Sequence, residues 1–213
     1  CVPMLALAAA AQAGGIRHDV NDSEYLSYGN ESQFDAVGRI AMTTAIGTRN
    51  CSATLLNSEW AITAAHCFDG VPVTSSVFAS GFSFSSVAEV IINPDWTPGN
   101  FTGGGDLALI RLSDPIESIP AAQLYTGSSE LGALGSSVGY GATGTGLTGD
   151  LANTLGTKRG GTNFIDIFGS DRGWNADILV ADFDNPNNPS DSLFGSSTPT
   201  DLEIQVAPGD SGG

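Results

Sequence analysis

The chain has 213 residues, of which 28 are glycine and 10 are proline, and its formal net charge is −16. This length fits one domain or two small ones, and so much glycine and proline excludes a chain of long helices. A hydrophobic fraction of 41% excludes wholesale disorder. The acidic balance disfavours nucleic acid and anionic membranes as partners, because both repel a negative surface.

The first 13 residues form an apolar segment that ends in Ala11-Gln12-Ala13. Such a run is typical of the end of a secretory signal peptide, and it is too short to span a membrane. We therefore predict a signal-peptide remnant at 1–13, an extracellular or periplasmic protein and no membrane span. The polar, turn-rich segment 14–34 is interpreted as an N-terminal leader. Because the sequence starts without Met and ends in a glycine-rich turn, we expect truncation at both ends.

The chain has three cysteines, and Cys1 falls within the predicted signal-peptide remnant. Its removal leaves Cys51 and Cys67. An even pair in an exported chain favours one disulfide, with two free core cysteines as the alternative.

Short apolar runs separated by turn signals follow residue 34. They lie at 37–42, 52–56, 60–65, 87–92, 107–112, 137–140, 178–181 and 202–206. Several alternate with a period of two. In the last run, Leu202, Ile204 and Val206 share one face of a strand, and Glu203 and Gln205 share the other. Many short strands without a helical repeat predict an all-β sandwich or barrel.

The segment 182–200 carries Asp182, Asp184 and Asp191 among Asn, Pro and Ser residues. A calcium loop is conceivable there, but the spacing matches no calcium motif, so we favour a solvated loop. We predict neither a metal nor a cofactor for this chain.

The last five residues, Gly209-Asp210-Ser211-Gly212-Gly213, carry the clearest chemical signal. Glycines around a serine allow a tight turn whose backbone N–H groups converge on one point, as a developing oxyanion requires. A plain glycine-rich turn is the alternative. A serine nucleophile also needs a base, and the chain has only two histidines.

His66 is the better candidate for the base, because it directly follows an apolar run and adjoins Cys67. His18 lies between charged residues and is interpreted as a solvated surface residue. The imidazole needs an orienting carboxylate. Asp106 opens an apolar run, where a charge is costly unless it is paired.

These motifs resemble the trypsin/chymotrypsin family of serine proteases. The matching stretches are Cys51 to Leu56, Trp60 to Cys67, Asp106 to Leu112 and Gly209 to Gly213, with Val138 to Gly141 similar to the family's Gly-Trp-Gly strand. The order His, Asp, Ser along the chain is that of this family, unlike subtilisins or α/β-hydrolases.

The resemblance implies two six-stranded antiparallel β-barrels with the active site between them: a first barrel at 35–125 and a second, incomplete barrel at 126–213. It implies a serine endopeptidase acting on protein or peptide substrates through an acyl-enzyme. In that mechanism Ser211 is the nucleophile, His66 the base and Asp106 the orienting acid. The N–H groups of Gly209 and Ser211 form the oxyanion hole. Cys51 and Cys67 match the family's disulfide beside the histidine, and we expect a monomer.

The sequence departs from the family pattern at three points. Ala207 replaces a usual cysteine, so a second-barrel disulfide is missing. Gln205 stands at the base of the specificity pocket, which disfavours a pocket for Arg or Lys only. The family's activation sequence is absent near Ile16, and we expect a terminus near Gly14 or Ile16 to serve Asp210.

Two other functions compete with the protease hypothesis. One is a non-catalytic homologue that acts as a secreted binding module, although all three triad residues are retained. The other is an esterase of the α/β-hydrolase type, since Gly209 to Gly213 also matches Gly-x-Ser-x-Gly. That fold places its acid and histidine after the serine, whereas here they precede it.

Overall fold

The structure is a computed structural model that describes residues 14–70, 72–151 and 153–213. The predicted signal-peptide remnant and Cys1 lie outside the described residues. The described part begins with strand β1 (Gly14–Ile16) and helix α1 (Asp22–Gly29). In the described part of the chain, no helix combines the length and the apolar character needed to cross a bilayer.

Helix α1 is short and polar, and it is held by its cap and by tertiary contacts. The Asn21 side chain caps it by accepting a hydrogen bond from the Ser23 N–H. Tyr25 is fully buried in a small cluster with Ile16 and Ile204. The segment interpreted as a leader thus packs against the C-terminal half of the chain.

The first half of the chain forms a closed, six-stranded antiparallel barrel. Its strands are β2 (Val37–Thr44), β3 (Gly47–Leu55), β4 (Trp60–Thr63), β5 (Val73–Ser80), β6 (Ser83–Ile92) and β7 (Ala108–Leu112). They pair around the barrel in the order β2-β3-β4-β7-β6-β5. Short 3-10 helices lie at Ser32–Phe34 before β2, at Ala65–Cys67 after β4 and at Phe101–Gly103 before β7.

Alternating side chains of these strands fill the barrel. Ile40, Leu55, Phe78 and Ile110 are fully buried at its centre. Each such residue contributes about 1.5–3 kcal/mol by leaving water. This interior fixes the strand ends that carry the site residues.

The second half contains shorter strands in three small sheets. They are β8 (Leu134–Gly139), β9 (Thr143–Thr145), β10 (Gly149–Asp150), β11 (Arg159–Phe164), β12 (Ile167–Phe168) and β13 (Leu179–Val180). The sheets are β1-β9-β10, β8-β11 and β12-β13. Further 3-10 helices lie at Gly169–Arg172 and Pro189–Asp191.

The all-β class and the closed first barrel confirm the prediction from the sequence. The second six-stranded barrel stays a prediction, because the described strands of that half form separate small sheets.

The predicted strand at 202–206 makes only isolated bridges, Ile204 to Ile16 and Glu203 to Thr162. Its assignment of faces is wrong at two positions, since Glu203 is 1% exposed and Val206 is 62% exposed. The reason is local: two backbone N–H groups, those of Asp184 and Thr200, hold the Glu203 carboxylate inside.

Candidate active site

His66 is placed by a rigid segment at the end of β4. There the chain turns into the 3-10 helix Ala65–Cys67, which puts His66 between two buried residues. The predicted disulfide between Cys51 and Cys67 is present and ties this turn to strand β3. The imidazole therefore projects from a turn that is fixed on both sides.

Asp106 lies two residues before strand β7 and contacts His66 through both carboxylate oxygens. Its Oδ2 lies 2.6 Å from His66 Nδ1, and its Oδ1 accepts the His66 backbone N–H at 2.9 Å. Both side chains are mostly buried, with 27% of the His66 side chain and 22% of the Asp106 side chain exposed. This pairing orients the ring and leaves Nε2 free to face the opposite side.

Ser211 meets His66 from the second half of the chain. Its Oγ lies 2.9 Å from His66 Nε2. The turn that presents it needs glycine on both sides, since Gly209 has φ of 99° and Gly212 has φ of 90°. The structure thus brings together His66, Asp106 and Ser211, the three residues predicted from the sequence.

The N–H groups of Gly209 and Ser211 are the predicted oxyanion donors. Within the described residues, neither donates a hydrogen bond to another part of the chain. Both donors therefore have no acceptor in the described part of the chain.

Ser52 joins the turn that carries Ser211 to the first barrel, a role that the sequence did not predict. Its N–H donates to the Ser211 carbonyl at 3.0 Å, and its hydroxyl donates to the Gly209 carbonyl at 3.0 Å. The same hydroxyl accepts the Tyr140 N–H at 2.9 Å. The only sequence signal was its place beside Cys51 in a stretch that resembles the family.

Asp210 points away from the triad into the interior of the second half. Its Oδ1 accepts the Gly141 N–H at 2.6 Å, and its Oδ2 accepts the Ala207 N–H at 2.9 Å. Burial raises the pKa of Asp210, although these hydrogen bonds and the charge of Arg159 oppose the rise. A methyl group at Gly139 or Gly141 would overlap this carboxylate, which explains the two glycines around Tyr140.

A cavity of about 40 Å³ lies beside Asp210, and Ile16 and Gln205 also line it. Gln205 also borders a more open pocket of about 420 Å³, together with Ser137 and Trp174. Gln205, the residue predicted for the specificity pocket, therefore lies between the small cavity beside Asp210 and the larger, more open pocket.

Two residues near the triad gave no signal in the sequence. The Phe101 ring contacts the His66 ring edge-on, with centroids 5.3 Å apart. From the second half, the Asn175 N–H donates to Thr102 O at 2.9 Å, and its Nδ2 donates to Gly103 O at 3.0 Å. Both contacts act on the loop that leads to Asp106, and loop sequence alone does not predict such contacts.

Donor atoms of Cys51, His66 and Cys67 lie within 4.8 Å of one another. They do not form a metal centre, because the two sulfurs are bonded to each other and His66 Nδ1 is held by Asp106. The expectation of a solvated loop around Asp182 and Asp184 is wrong, since their exposed fractions are 9% and 4%. Asp191, in contrast, is exposed.

A closed antiparallel barrel with His and Asp at its edge, facing a Gly-Asp-Ser-Gly turn, is the arrangement of trypsin-like proteases. The family model described as Trypsin matches residues 28–213. The chain therefore belongs to the trypsin family, and this membership supports a peptidase function in general.

The chain is also similar to curated relatives named chymotrypsin-like elastase family member 1. The protein of Macaca fascicularis is 32% identical over 117 residues, which is 49% of this chain and 44% of the relative. The Homo sapiens protein is 32% identical over 117 residues, or 49% and 45% of the two chains. The match thus spans less than half the length of these relatives.

Two solved structures share the fold. One, described as HL collagenase, has a TM-score of 0.50 at 18% identity, covering 62% of this chain and 59% of that one. The other, described as the structure of GrC, has a TM-score of 0.50 at 16% identity, covering 63% and 62%. At this level of identity they support the fold alone.

Proposed function

We propose that the chain is the peptidase part of a serine endopeptidase that cleaves protein or peptide substrates through His66, Asp106 and Ser211. The observation that carries the proposal is the 2.9 Å contact between Ser211 Oγ and His66 Nε2, opposite the Asp106 contact. A serine hydroxyl becomes nucleophilic when such a base accepts its proton.

In this mechanism Ser211 Oγ attacks the scissile carbonyl while His66 Nε2 takes its proton. His66 then gives the proton to the leaving amine, and water releases the acyl group by the same route in reverse. Asp106 keeps a proton on Nδ1 and stabilises the imidazolium ion. The free N–H groups of Gly209 and Ser211 stabilise the oxyanion.

The test is labelling of the full-length protein with a fluorophosphonate probe. We expect labelling of the wild type, loss of labelling in Ser211→Ala, and normal labelling in Ser128→Ala, whose residue is exposed and distant in sequence. A folded wild type that stays unlabelled would favour the non-catalytic binding module. Labelling that persists in Ser211→Ala would exclude Ser211 as the nucleophile.

We further propose that Gln205 gives a specificity pocket that does not select Arg or Lys only. Gln205 lines the accessible pocket and supplies an amide in place of a carboxylate, so a basic side chain gains no ion pair there. A peptide-library profile dominated by basic residues before the cleaved bond would refute this.

Activation is proposed to place a new N-terminus near Gly14 or Ile16 against Asp210. Ile16 and Asp210 line the same cavity, and no described ion pair involves Asp210. N-terminal sequencing of the active enzyme tests the proposal, and a first residue far beyond Ile16 would contradict it. The disulfide also fits our proposal of a secreted enzyme, which we further propose to be a monomer.

A further inference from the structure

We propose that Ser52 is a positioning residue whose hydroxyl group keeps the oxyanion hole of the proposed peptidase in shape. The inference rests on the proposed function, because Gly209 and Ser211 supply oxyanion donors only in that mechanism. Ser52 lies in strand β3 and is fully buried. It acts on the backbone of the turn that carries the nucleophile, and not on the substrate.

The carbonyl groups of residues 208–211 are all held by hydrogen bonds, but one of them is held differently. Three accept backbone N–H groups: Pro208 O from Ala142 at 3.0 Å, Asp210 O from Gly213 at 2.9 Å and Ser211 O from Ser52 at 3.0 Å. The Gly209 carbonyl accepts no backbone N–H from the described residues. It accepts the Ser52 hydroxyl instead, at 3.0 Å, so this side chain fixes the one carbonyl that the backbone does not.

The Gly209 carbonyl belongs to the peptide group that lies between the two oxyanion donors. The Gly209 N–H precedes this peptide group, and the Ser211 N–H follows it. Gly209 has φ of 99°, and a residue without Cβ can rotate its peptide groups at little cost. A hydrogen bond to this carbonyl therefore limits the rotation of both donors. Oxyanion stabilisation depends on donors that are oriented before the reaction.

The Ser52 hydroxyl is itself oriented by the segment 139–141. Its Oγ accepts the Tyr140 N–H at 2.9 Å, and its single proton is directed to the Gly209 carbonyl. The next N–H along the chain, that of Gly141, donates to Asp210 Oδ1 at 2.6 Å. Two consecutive N–H groups thus hold the turn, one through the Ser52 hydroxyl and one through the Asp210 carboxylate. Loss of this hydroxyl leaves the Gly209 carbonyl without its donor.

The test compares Ser52→Ala with Ser85→Ala in the full-length protein. Ser85 is a matched control, because it is 2% exposed and its hydroxyl also joins two backbone groups, the Asp114 N–H at 3.0 Å and the Ser86 carbonyl at 3.2 Å. Both variants should lose similar stability in thermal unfolding. Only Ser52→Ala should lower kcat for a peptide substrate, by about ten-fold with KM unchanged, because the oxyanion develops in the transition state.

Inhibition by a peptide trifluoromethyl ketone gives a second readout. Ser211 Oγ forms a bond to the ketone carbon, the electron pair of the C=O π bond moves to oxygen as an oxyanion, and His66 Nε2 takes the Ser211 proton. The adduct therefore places a negative oxygen in the same hole as the transition state. Its Ki should rise about ten-fold in Ser52→Ala and stay unchanged in Ser85→Ala.

Three results would overturn the inference: unchanged kcat and Ki in Ser52→Ala, an effect confined to KM, or an equal fall of kcat in Ser85→Ala. If Ser52→Ala does not fold, Ser52→Cys replaces it, because a thiol has a similar size and is a weak donor. Successive side chains of a strand lie on opposite faces, so this thiol is directed away from the Cys51 disulfide. A ten-fold loss of kcat in that variant supports the role of the hydroxyl, and an unchanged kcat refutes it.

The wild type separates this inference from the proposed function. An active wild type with an equally active, folded Ser52→Ala refutes the role of Ser52 and leaves the peptidase proposal intact. A folded wild type without turnover refutes the proposed function, and the inference falls with it.

Discussion

Asp106 illustrates how a single residue fixes the position of His66 in the proposed active site. One oxygen holds the His66 ring and the other holds the His66 backbone, so ring and main chain share one anchor. An amide at this position retains the shape but presents an N–H where an acceptor is needed, which favours the wrong imidazole tautomer.

Asp106→Asn should therefore lower kcat/KM for a peptide substrate about 10⁴-fold at neutral pH. Asp114→Asn is the matched control, because Asp114 is an exposed aspartate at the other end of β7. Steady-state kinetics would measure kcat/KM for both variants, and thermal unfolding would show whether each variant is folded. A loss below ten-fold in Asp106→Asn would contradict the assigned role.

The buried side chain of Tyr25 predicts that the stability of the fold depends on pH. Burial raises the pKa of Tyr25 to about 12 from the usual 10.0. Below pH 10 the phenol is neutral in both folded and unfolded chains. As the pH rises from 10 towards 12, only the unfolded chain ionises there, so the folded state loses stability.

Between pH 10 and 12, the free energy of unfolding of Tyr25→Phe should therefore fall by about 2 kcal/mol less than that of the wild type. At neutral pH it should lower stability by about 1–2 kcal/mol, because the Arg17 N–H and Glu203 carbonyl lose their partner. Urea unfolding at pH 7, 10 and 11.5 measures both effects. An unchanged alkaline slope would count against the burial argument. Tyr28→Phe, at an exposed hydroxyl, is the control.

His66, Asp106 and Ser211 could be predicted from the sequence, because few residue types can act as nucleophile, base or orienting acid. Ser52 and Phe101 could not be predicted, because their contacts with Gly209 and His66 join residues that are distant in the sequence. The prediction of a solvated loop was wrong for Asp182 and Asp184, because a segment rich in Asn and Pro gives no sign that its acidic side chains are buried.

Among the elements, the disulfide and the short helix beside it act as one unit. The bond spans 16 residues and links the His66 turn to β3. On the chain-entropy model, a loop of this size stabilises the fold by roughly 3 kcal/mol.

The double variant Cys51→Ala/Cys67→Ala should lose about 3 kcal/mol of unfolding free energy and some activity, since the His66 turn is no longer tied down. Denaturant unfolding compared with the wild type, both with and without a reductant, measures this. Reductant should destabilise the wild type and leave the variant unchanged. A variant as stable as the oxidised wild type would contradict the expectation.

The loop before Asp106 is held by Asn175 from the other half of the chain. Asn175→Ala removes the hydrogen bond from Nδ2 to Gly103 O, a contribution of about 1 kcal/mol. We expect about a five-fold lower kcat with little change in KM, because the loop positions the acid rather than the substrate. Asn187→Ala, in a different loop, is the control. A change confined to KM would indicate a role in substrate binding instead.

Strands were more predictable than the helix. Alternating apolar residues located β2, β4 and β7 closely. Helix α1 was not predicted, because its sequence is polar and its stability depends on burying Tyr25 and on pairing Asp22 with Arg159 at 2.7 Å. Such support comes from residues more than a hundred positions away.

At the scale of the whole molecule, the net charge of −16 opposes compact folding through self-repulsion. Raising NaCl from about 20 mM to about 0.5 M shortens the screening length to roughly 4 Å. We expect Tm at pH 7 to rise by several degrees in the presence of a chelator, which excludes bound divalent ions. Near the isoelectric point of about 4.1 the effect should vanish. A fall in Tm with salt at pH 7 would show that ion pairs outweigh the repulsion.

If the proposed mechanism holds, the junction at Ser52 makes catalysis depend on the contact between two parts of the molecule. The barrel carries His66 and Asp106, whereas the second half delivers Ser211, and Ser52 bonds to both Ser211 and Gly209. The nucleophile–base contact therefore exists only while these parts stay together. In rising denaturant, turnover should disappear before the barrel's circular dichroism signal does, so that enzyme activity becomes a gauge of assembly rather than of folding.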